Sequence, residues 1–374
     1  MQSKWIPLAV PAVLWITSLL ALAAEEPQPT INIFSNQAVK LTIGGYAHFQ
    51  FSTSSVEDQV DSSFEVRRAR LTADAVLSDW LSGRIMIDAA SSTDILRDAY
   101  LLLNFDPRFN IRIGQYKRPF FLLEILSATA HLPIERGVRI RGLGRTALFD
   151  LLDILNYTNR DIGIQFEGKF ESSTPIRYAL SLTNGGPANR LDTDDGKELI
   201  ARVVVSPLKK FDVGFAFANN NYEGVPIASN PLPPTESANA QAFGIDFLYE
   251  QGKTKGLYVQ ADLDVADNYQ GPKVGNTNVL LTRDVPTLFG FQINTGYRLE
   301  INSKRVSFIE PLFRFDYADP NRDKDDDASY LITPGINLYL QKSVRLMFNY
   351  DIVSFQSKTQ DTESAFRFQA QFVF

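Results

Sequence analysis

Apolar and polar residues alternate with a period of two through most of this chain, in segments of about ten residues that continue to its last position. Near the start, Leu41, Ile43, Ala47, Phe49 and Phe51 interleave with Lys40, Thr42, Tyr46, His48 and Gln50. At the end, Phe366, Phe368, Ala370, Phe372 and Phe374 alternate with Arg367, Gln369 and Gln371. Successive side chains on a strand point to opposite faces, so each segment has one greasy and one wet face. The chain is therefore read as all-β. Beyond residue 23 no apolar run approaches the ~18 residues that a membrane helix needs, which rules out a helical bundle.

Residues 1–23 stand apart from this pattern. Lys4 is a basic start, Ile6 to Leu20 is apolar, and Ala21-Leu22-Ala23 has the small-x-small form of a signal-peptidase site. A retained anchor is the other reading, but Glu25 and Glu26 follow where a stop-transfer flank would be basic. The expected organisation is a cleaved signal peptide at 1–23, a periplasmic N-terminal segment at 24–37 and one barrel domain over 38–374.

Strands are expected near 38–52, 64–77, 80–90, 96–106, 109–118, 160–170, 175–184, 197–206, 210–219, 241–250, 254–264, 287–300, 305–317, 329–340, 343–353 and 364–374. The connections alternate in length. Tight turns at Asp106-Pro107-Arg108, Pro207–Lys209 and Gln341-Lys342 lie between long links such as 119–159, 185–196, 220–240 and 265–286. Only 91–95 departs from the alternation. About sixteen antiparallel strands, with short turns at one rim and long loops at the other, describe a transmembrane β-barrel of the bacterial outer membrane. A secreted β-sandwich also alternates. Its dry core would not hold the Arg, Asp, Gln and Asn that fill the polar face here, and closing the sheet also satisfies every backbone group in lipid. The aromatic-rich last strand, ending in Phe372-Val373-Phe374, resembles an outer-membrane assembly signal.

Composition removes several functions. There is no cysteine, hence no disulfide scaffold, thiolate zinc site, cysteine nucleophile or iron–sulfur cluster. The two histidines, His48 and His131, make a polyhistidine metal site improbable and face no serine from the lipid side. No metal, cofactor, catalytic residue or nucleic-acid motif is expected. The net charge of −6 is a poor guide, because acidic residues gather in outer loops such as Asp192–Asp195 and Asp323–Asp327.

Basic residues gather elsewhere. In Phe64-Glu65-Val66-Arg67-Arg68-Ala69-Arg70-Leu71, parity places Arg68 and Arg70 in the lumen, while Arg67 faces the lipid-side rim unless a bulge redirects it. Arg84, Asp88, Asp98, Tyr100, Arg112 and Arg118 share the lumenal parity. The 119–159 connection is unusually apolar, with Phe120, Phe121, Leu122, Leu123, Leu148, Phe149 and Leu151, and it carries Arg136, Arg139, Arg141 and Arg145. A loop this greasy needs a surface to pack on, so it is expected to fold inward and narrow the pore. Guanidinium forks there would attract oxyanions, although barrel interiors also pair Arg with Asp merely to brace the wall.

Gly114-Gln115-Tyr116-Lys117-Arg118-Pro119-Phe120 resembles a signature of the phosphate-selective porin O and P family. Arg97-Asp98-Ala99-Tyr100-Leu101, Glu135-Arg136, Arg160–Gln165 and Ala201-Arg202-Val203 fit in the same order, and Arg67-Arg68 matches an arginine-bearing second strand. The resemblance covers essentially the whole mature chain. It implies a sixteen-stranded, usually trimeric barrel with Arg67, Arg68, Lys117 and Arg136 as anion contacts and Asp98 as a counter-carboxylate. Arg70, Arg118, Arg139, Arg141 and Arg145 complete the candidate lining. The chain departs from the family in its apolar third loop and in lacking a recognisable full arginine ladder. Expected partners are outer-membrane lipid and lipopolysaccharide, small anions such as phosphate, and two further copies of the chain. The competing readings are a non-selective or cation-leaning porin, a structural or adhesive surface barrel, and an outer-membrane enzyme.

Overall fold

The computed structural model describes residues 30–35, 39–56, 62–138, 146–192, 195–223, 237–250, 255–269, 285–301, 303–341 and 343–374. Its strands are β1 (Thr30–Ser35), β2 (Lys40–Ser54), β3 (Ser62–Ser78), β4 (Leu81–Asp88), β5 (Leu96–Asp106), β6 (Phe109–Lys117), β7 (Arg160–Phe170), β8 (Ile176–Thr183) and β9 (Glu198–Leu208). The second half holds β10 (Phe211–Glu223), β11 (Ser237–Glu250), β12 (Gly256–Asp267), β13 (Thr287–Glu300), β14 (Phe308–Asp319), β15 (Ser329–Gln341), β16 (Val344–Phe355) and β17 (Glu363–Val373). Each strand from β2 to β17 pairs antiparallel with its successor, and β17 returns to pair with β2, which closes a sixteen-strand barrel. The boundaries follow the hydrophobic alternation within a few residues.

Burial repeats the period of two. On β13, Leu288, Gln292 and Asn294 are buried while Phe289, Phe291 and Ile293 lie on the outer face. On β17, Arg367, Gln369 and Gln371 are buried and Phe366 and Phe372 exposed. Outward aromatics meet across strands, as in Phe348 with Phe368 at 5.1 Å between ring centroids. That is a surface suited to lipid, with the polar groups enclosed.

The element that alternation does not anticipate is β1, which falls inside the segment expected to precede the barrel. It pairs with the first residues of β2, from Thr30 opposite Gly44 to Ser35 opposite Lys40. Farther along the same edge, β17 takes over with Val373 opposite Tyr46. Phe374 exchanges two backbone hydrogen bonds of 2.9 Å with Gly45 where the two meet.

The connection between β6 and β7 carries two short helices, α1 (Leu122–Ile125) and α2 (Leu148–Ile154). Its apolar side chains form one cluster with residues of the enclosed face. Phe120, Phe121, Leu123, Leu148, Leu151, Leu152 and Tyr157 pack with Ile200, Ala216, Ala218, Ala240, Ala242, Ala266, Leu288 and Ala318 from β9 to β14. Small residues make that stretch of wall shallow enough to receive bulky ones. Gly290 shows the tightness: a Cβ there would lie 2.3 Å from Leu148 Cδ1.

Candidate functional site

Arg67, Arg68 and Arg70 reach the same side of the sheet because β3 carries a bulge. His48 of β2 stands opposite Arg68, but the next residue, Phe49, stands opposite Val66, so Arg67 has no cross-strand partner. An extra residue resets parity. Val66 is therefore 51% exposed on the outside, while Arg68 and Arg70 are 3% and 7% exposed. Arg67 turns inward as well: its Nε lies 2.5 Å from Glu135 Oε1 and its Nη2 3.0 Å from Oε2. The bulge, and not the lipid-side rim, is the outcome for Arg67.

Glu135 also accepts from Arg68 Nη2 at 3.0 Å, so one carboxylate occupies two guanidinium groups. Burial alone would raise the Glu135 carboxyl, but Arg67 and Arg68 outweigh it and hold the group well below the usual carboxylate range. Arg70 is held by Asp88 at 2.8 Å and by the Tyr46 hydroxyl at 2.8 Å. Arg68 Nη1 lies 3.4 Å from His48 Nδ1, and Arg68 Nε has no partner among the described residues.

A second knot adjoins this one. Arg136 Nε is 2.8 Å from Glu124 Oε2, and Arg160 Nη1 is 3.7 Å from Glu124 Oε1. The Glu124 carboxyl also stays low: burial raises it, while Arg136, Lys117, Arg160 and Arg97 together lower it further. Lys117 donates to the carbonyls of Glu124, Ile125 and Leu126 at 2.8, 3.1 and 2.9 Å, where its charge offsets the negative end of α1. Asp98 is the partner of Arg160 at 2.6 Å and does not touch Arg67 or Arg68. Arg67, Arg68, Arg70, Arg136 and Arg160 pair with Glu135, Asp88, Glu124 and Asp98, while Arg97 donates to the Asn159 side chain and Lys117 to backbone carbonyls. Cations are in excess.

Arg118 departs from the expectation of a solute contact. Its Nε donates to Glu198 at 2.5 Å and its Nη2 to Asp161 at 2.6 Å and the Gly186 carbonyl at 2.7 Å. Its Nη1 donates to the carbonyls of Thr158 and Arg160 at 3.0 and 3.3 Å. All five guanidinium donors are taken, which leaves none for a passing oxyanion. Bracing pairs of the same kind recur as Arg84–Asp74, Arg112–Glu167 and Arg202–Asp246. Arg139, Arg141 and Arg145 lie outside the described residues.

The 118–159 connection is tied to the enclosed wall by polar bonds as well. Leu122 N donates to Asp262 at 3.0 Å, Leu148 N to Asp316 at 2.8 Å, and Ile134 N to Asn349 at 2.7 Å. Arg314 of β14 donates to the carbonyls of Glu135 and Arg136 at 3.0 and 2.5 Å, and Arg345 of β16 to that of His131 at 2.9 Å. Asp150 Oδ2 accepts from Val138, Ala147 and Thr146 backbone N–H groups at 2.8, 3.1 and 3.3 Å, so it clasps Val138 to the residues that lead into α2. Burial pushes this carboxyl up to about 6 against those hydrogen bonds. Arg314, Arg345 and Glu124 were not singled out from the sequence, and Arg160 only as the first residue of a family segment. Parity was the available signal for two of them, since Arg314 lies between Phe313 and Phe315 and Arg345 between Val344 and Leu346.

Among solved structures, the barrel is similar to Salmonella typhi OmpF in complex with daunomycin, at 10% identity and TM-score 0.61 over 92% of this chain and 100% of that one. It is also similar to the anion-selective porin from Comamonas acidovorans, at 10% identity and TM-score 0.60 over 90% and 100%. The trimer form of Vibrio cholerae OmpT aligns at 13% identity and TM-score 0.55 over 90% and 100%. At these identities the likeness shows the fold alone. No curated protein matches the chain. The sequence profile of phosphate-selective porin O and P matches residues 39–244, more than half the chain and the part that holds β2 to β10 and the basic cluster. With the closed barrel and its enclosed polar face, that match makes the chain an outer-membrane porin of the phosphate-selective porin O and P family.

Proposed function

We propose that this porin passes small solutes by diffusion and prefers anions, phosphate and similar oxyanions being the solute class. The observation that carries the reading is the bulge at Arg67, which brings Arg67 onto the enclosed face beside Arg68 and Arg70. Three guanidinium groups packed this closely repel one another, and the two carboxylates that touch them, Glu135 and Asp88, leave a positive excess. A constriction with that field admits anions and excludes cations. Arg67, Arg68 and Arg136 are the proposed contacts, with Lys117, whose three N–H donors are held by carbonyls, acting through its charge, Arg70 behind them and Arg139, Arg141 and Arg145 following in the loop. Asp98 acts as counter-carboxylate through Arg160, and Arg118 is assigned to the wall.

The 119–159 connection is proposed to cross the lumen and narrow it. Its bonds to β12, β14 and β16 on one side and to β3 on the other support that path. Export through a signal peptide cleaved after Ala23, a periplasmic 24–37 segment, a homotrimer and lipopolysaccharide around the outer loops belong to the same reading. The family name and the anion-selective porin of like fold are consistent with anion preference. A cation-leaning pore is favoured by the acidic wall of Asp246, Asp262 and Asp264. These groups are 5% exposed or less, and Leu122 lies over Asp262. Inorganic phosphate added to a protein-containing planar bilayer should block chloride current in a saturable manner. Chloride current indifferent to phosphate would refute the oxyanion assignment.

A further inference from the structure

We infer that Glu135 is a built-in competitor for the oxyanion site: its carboxylate occupies the Arg67–Arg68 fork, and a permeating oxyanion must displace it. This rests on the anion-channel reading above. The geometry is that of a bound carboxylate ligand. Oε1 takes Arg67 Nε, and Oε2 takes both Arg67 Nη2 and Arg68 Nη2, which is the planar bidentate pattern a phosphate or carboxylate would adopt.

The backbone of Glu135 is held independently of its side chain. Its carbonyl accepts from Arg314 of β14, Ile134 N is bonded to Asn349 of β16, and the Leu132 carbonyl accepts from Asn337 of β15. In the sheet, β15, β16, β17 and β2 separate β14 from β3. The main chain is thus fixed to one part of the wall while the side chain reaches Arg67 and Arg68 on another. The carboxylate can leave by side-chain rotation with the loop still seated. Arg67 is the open side of the fork, since its side chain is 21% exposed where those of Arg68 and Glu135 are 4% exposed. An arriving anion meets Arg67 first.

Such an arrangement speeds release as well as limiting affinity. A bare arginine pair would hold an oxyanion until it dissociated into an unfavourable, uncompensated site, whereas Glu135 returns to the fork as the solute leaves. Conduction requires binding that is strong enough to admit a solute and weak enough to free it.

The test uses Glu135→Gln and Glu135→Ala in the full chain, each reconstituted in planar bilayers, with the inhibition constant of inorganic phosphate against chloride current as the readout. Channel insertion reports folding of each variant. Both should bind phosphate about tenfold more tightly than wild type, the scale of one charge-assisted contact no longer competed for. Liposome swelling with a small neutral sugar reports the width of the path in each variant. A block constant that stays the same or weakens in both variants overturns the inference. Faster sugar entry without tighter block also overturns it, because Glu135 is then only a latch on the loop. Failure of the anion reading shows separately, as wild-type chloride current that phosphate does not affect.

Discussion

Replacing Arg118 by Ala isolates what a wall arginine does from what a pore arginine does. The guanidinium is 1% exposed and bridges Glu198 and Asp161, which are 0% and 1% exposed, in addition to three carbonyl oxygens. Without it Glu198 keeps the Thr183 hydroxyl at 3.2 Å, and Asp161 keeps the backbone N–H groups of Ile162 and Gly185 at 2.7 Å each. Two buried negative charges then face each other with no cation. Removing one partner of a buried ion pair costs about 3–5 kcal/mol, and the shared position of Arg118 places it toward the upper end of that range. Arg118→Lys should recover little, because a single ammonium cannot span both carboxylates and the carbonyls. The assay is urea unfolding in detergent, followed by the shift of folded to unfolded barrel on gels, with Arg108→Ala as the control. Arg108 and Asp106 pair at an exposed turn, 66% and 41% exposed, so no measurable change is expected there. Channels that survive should keep wild-type ion selectivity. Wild-type stability in Arg118→Ala, or a large loss of anion preference without loss of stability, would refute the bracing role.

Asp150 should make the loop pH-dependent. Burial raises the pKa of its carboxyl from 3.8 to about 6, so the buried position of Asp150 contributes its full stability below the lower value and that contribution is lost as pH rises through the higher one. The shift corresponds to roughly 3 kcal/mol. Channel conductance should accordingly fall as pH is lowered from about 6 toward 4, since Glu124 and Glu135, both held below the usual carboxylate range, take up their protons below Asp150. Asp150→Asn should flatten that dependence, and an unaltered pH profile would contradict it. Gly290→Val places side-chain atoms where Leu148 now lies, so it should unseat α2 and raise single-channel conductance while leaving the barrel folded. Unchanged conductance in Gly290→Val would show that α2 does not limit the path.

The wall was legible in the sequence because alternation is a local property: residues such as Phe366 to Phe374 declare their faces without reference to the rest of the fold. Strand β1 was not, because six residues leave too few alternations to distinguish a strand from a linker. Parity also fails at a bulge. It left Arg67 ambiguous, and only the pairing of β2 with β3 decides where that side chain points. The apolar 119–159 segment announced a packing need, but the alanines that meet it are scattered over β10 to β14 and acquire meaning only when the barrel closes. Glu135 and Glu124 were invisible as site residues for the same reason. A carboxylate in a loop reads as a solvated charge until its arginine partners, sixty-eight residues away for Arg67 and Glu135, are brought beside it.

The central claim is that the Arg67–Arg68 pair makes the pore prefer anions. Its most direct test is the zero-current potential across a planar bilayer in a KCl gradient, compared between wild type and the Arg67→Ala, Arg68→Ala double variant. The account predicts a potential of anion sign in wild type that moves toward zero in the double variant. A cation-sign potential in wild type, or an anion-sign potential that the double variant leaves unchanged, would contradict it.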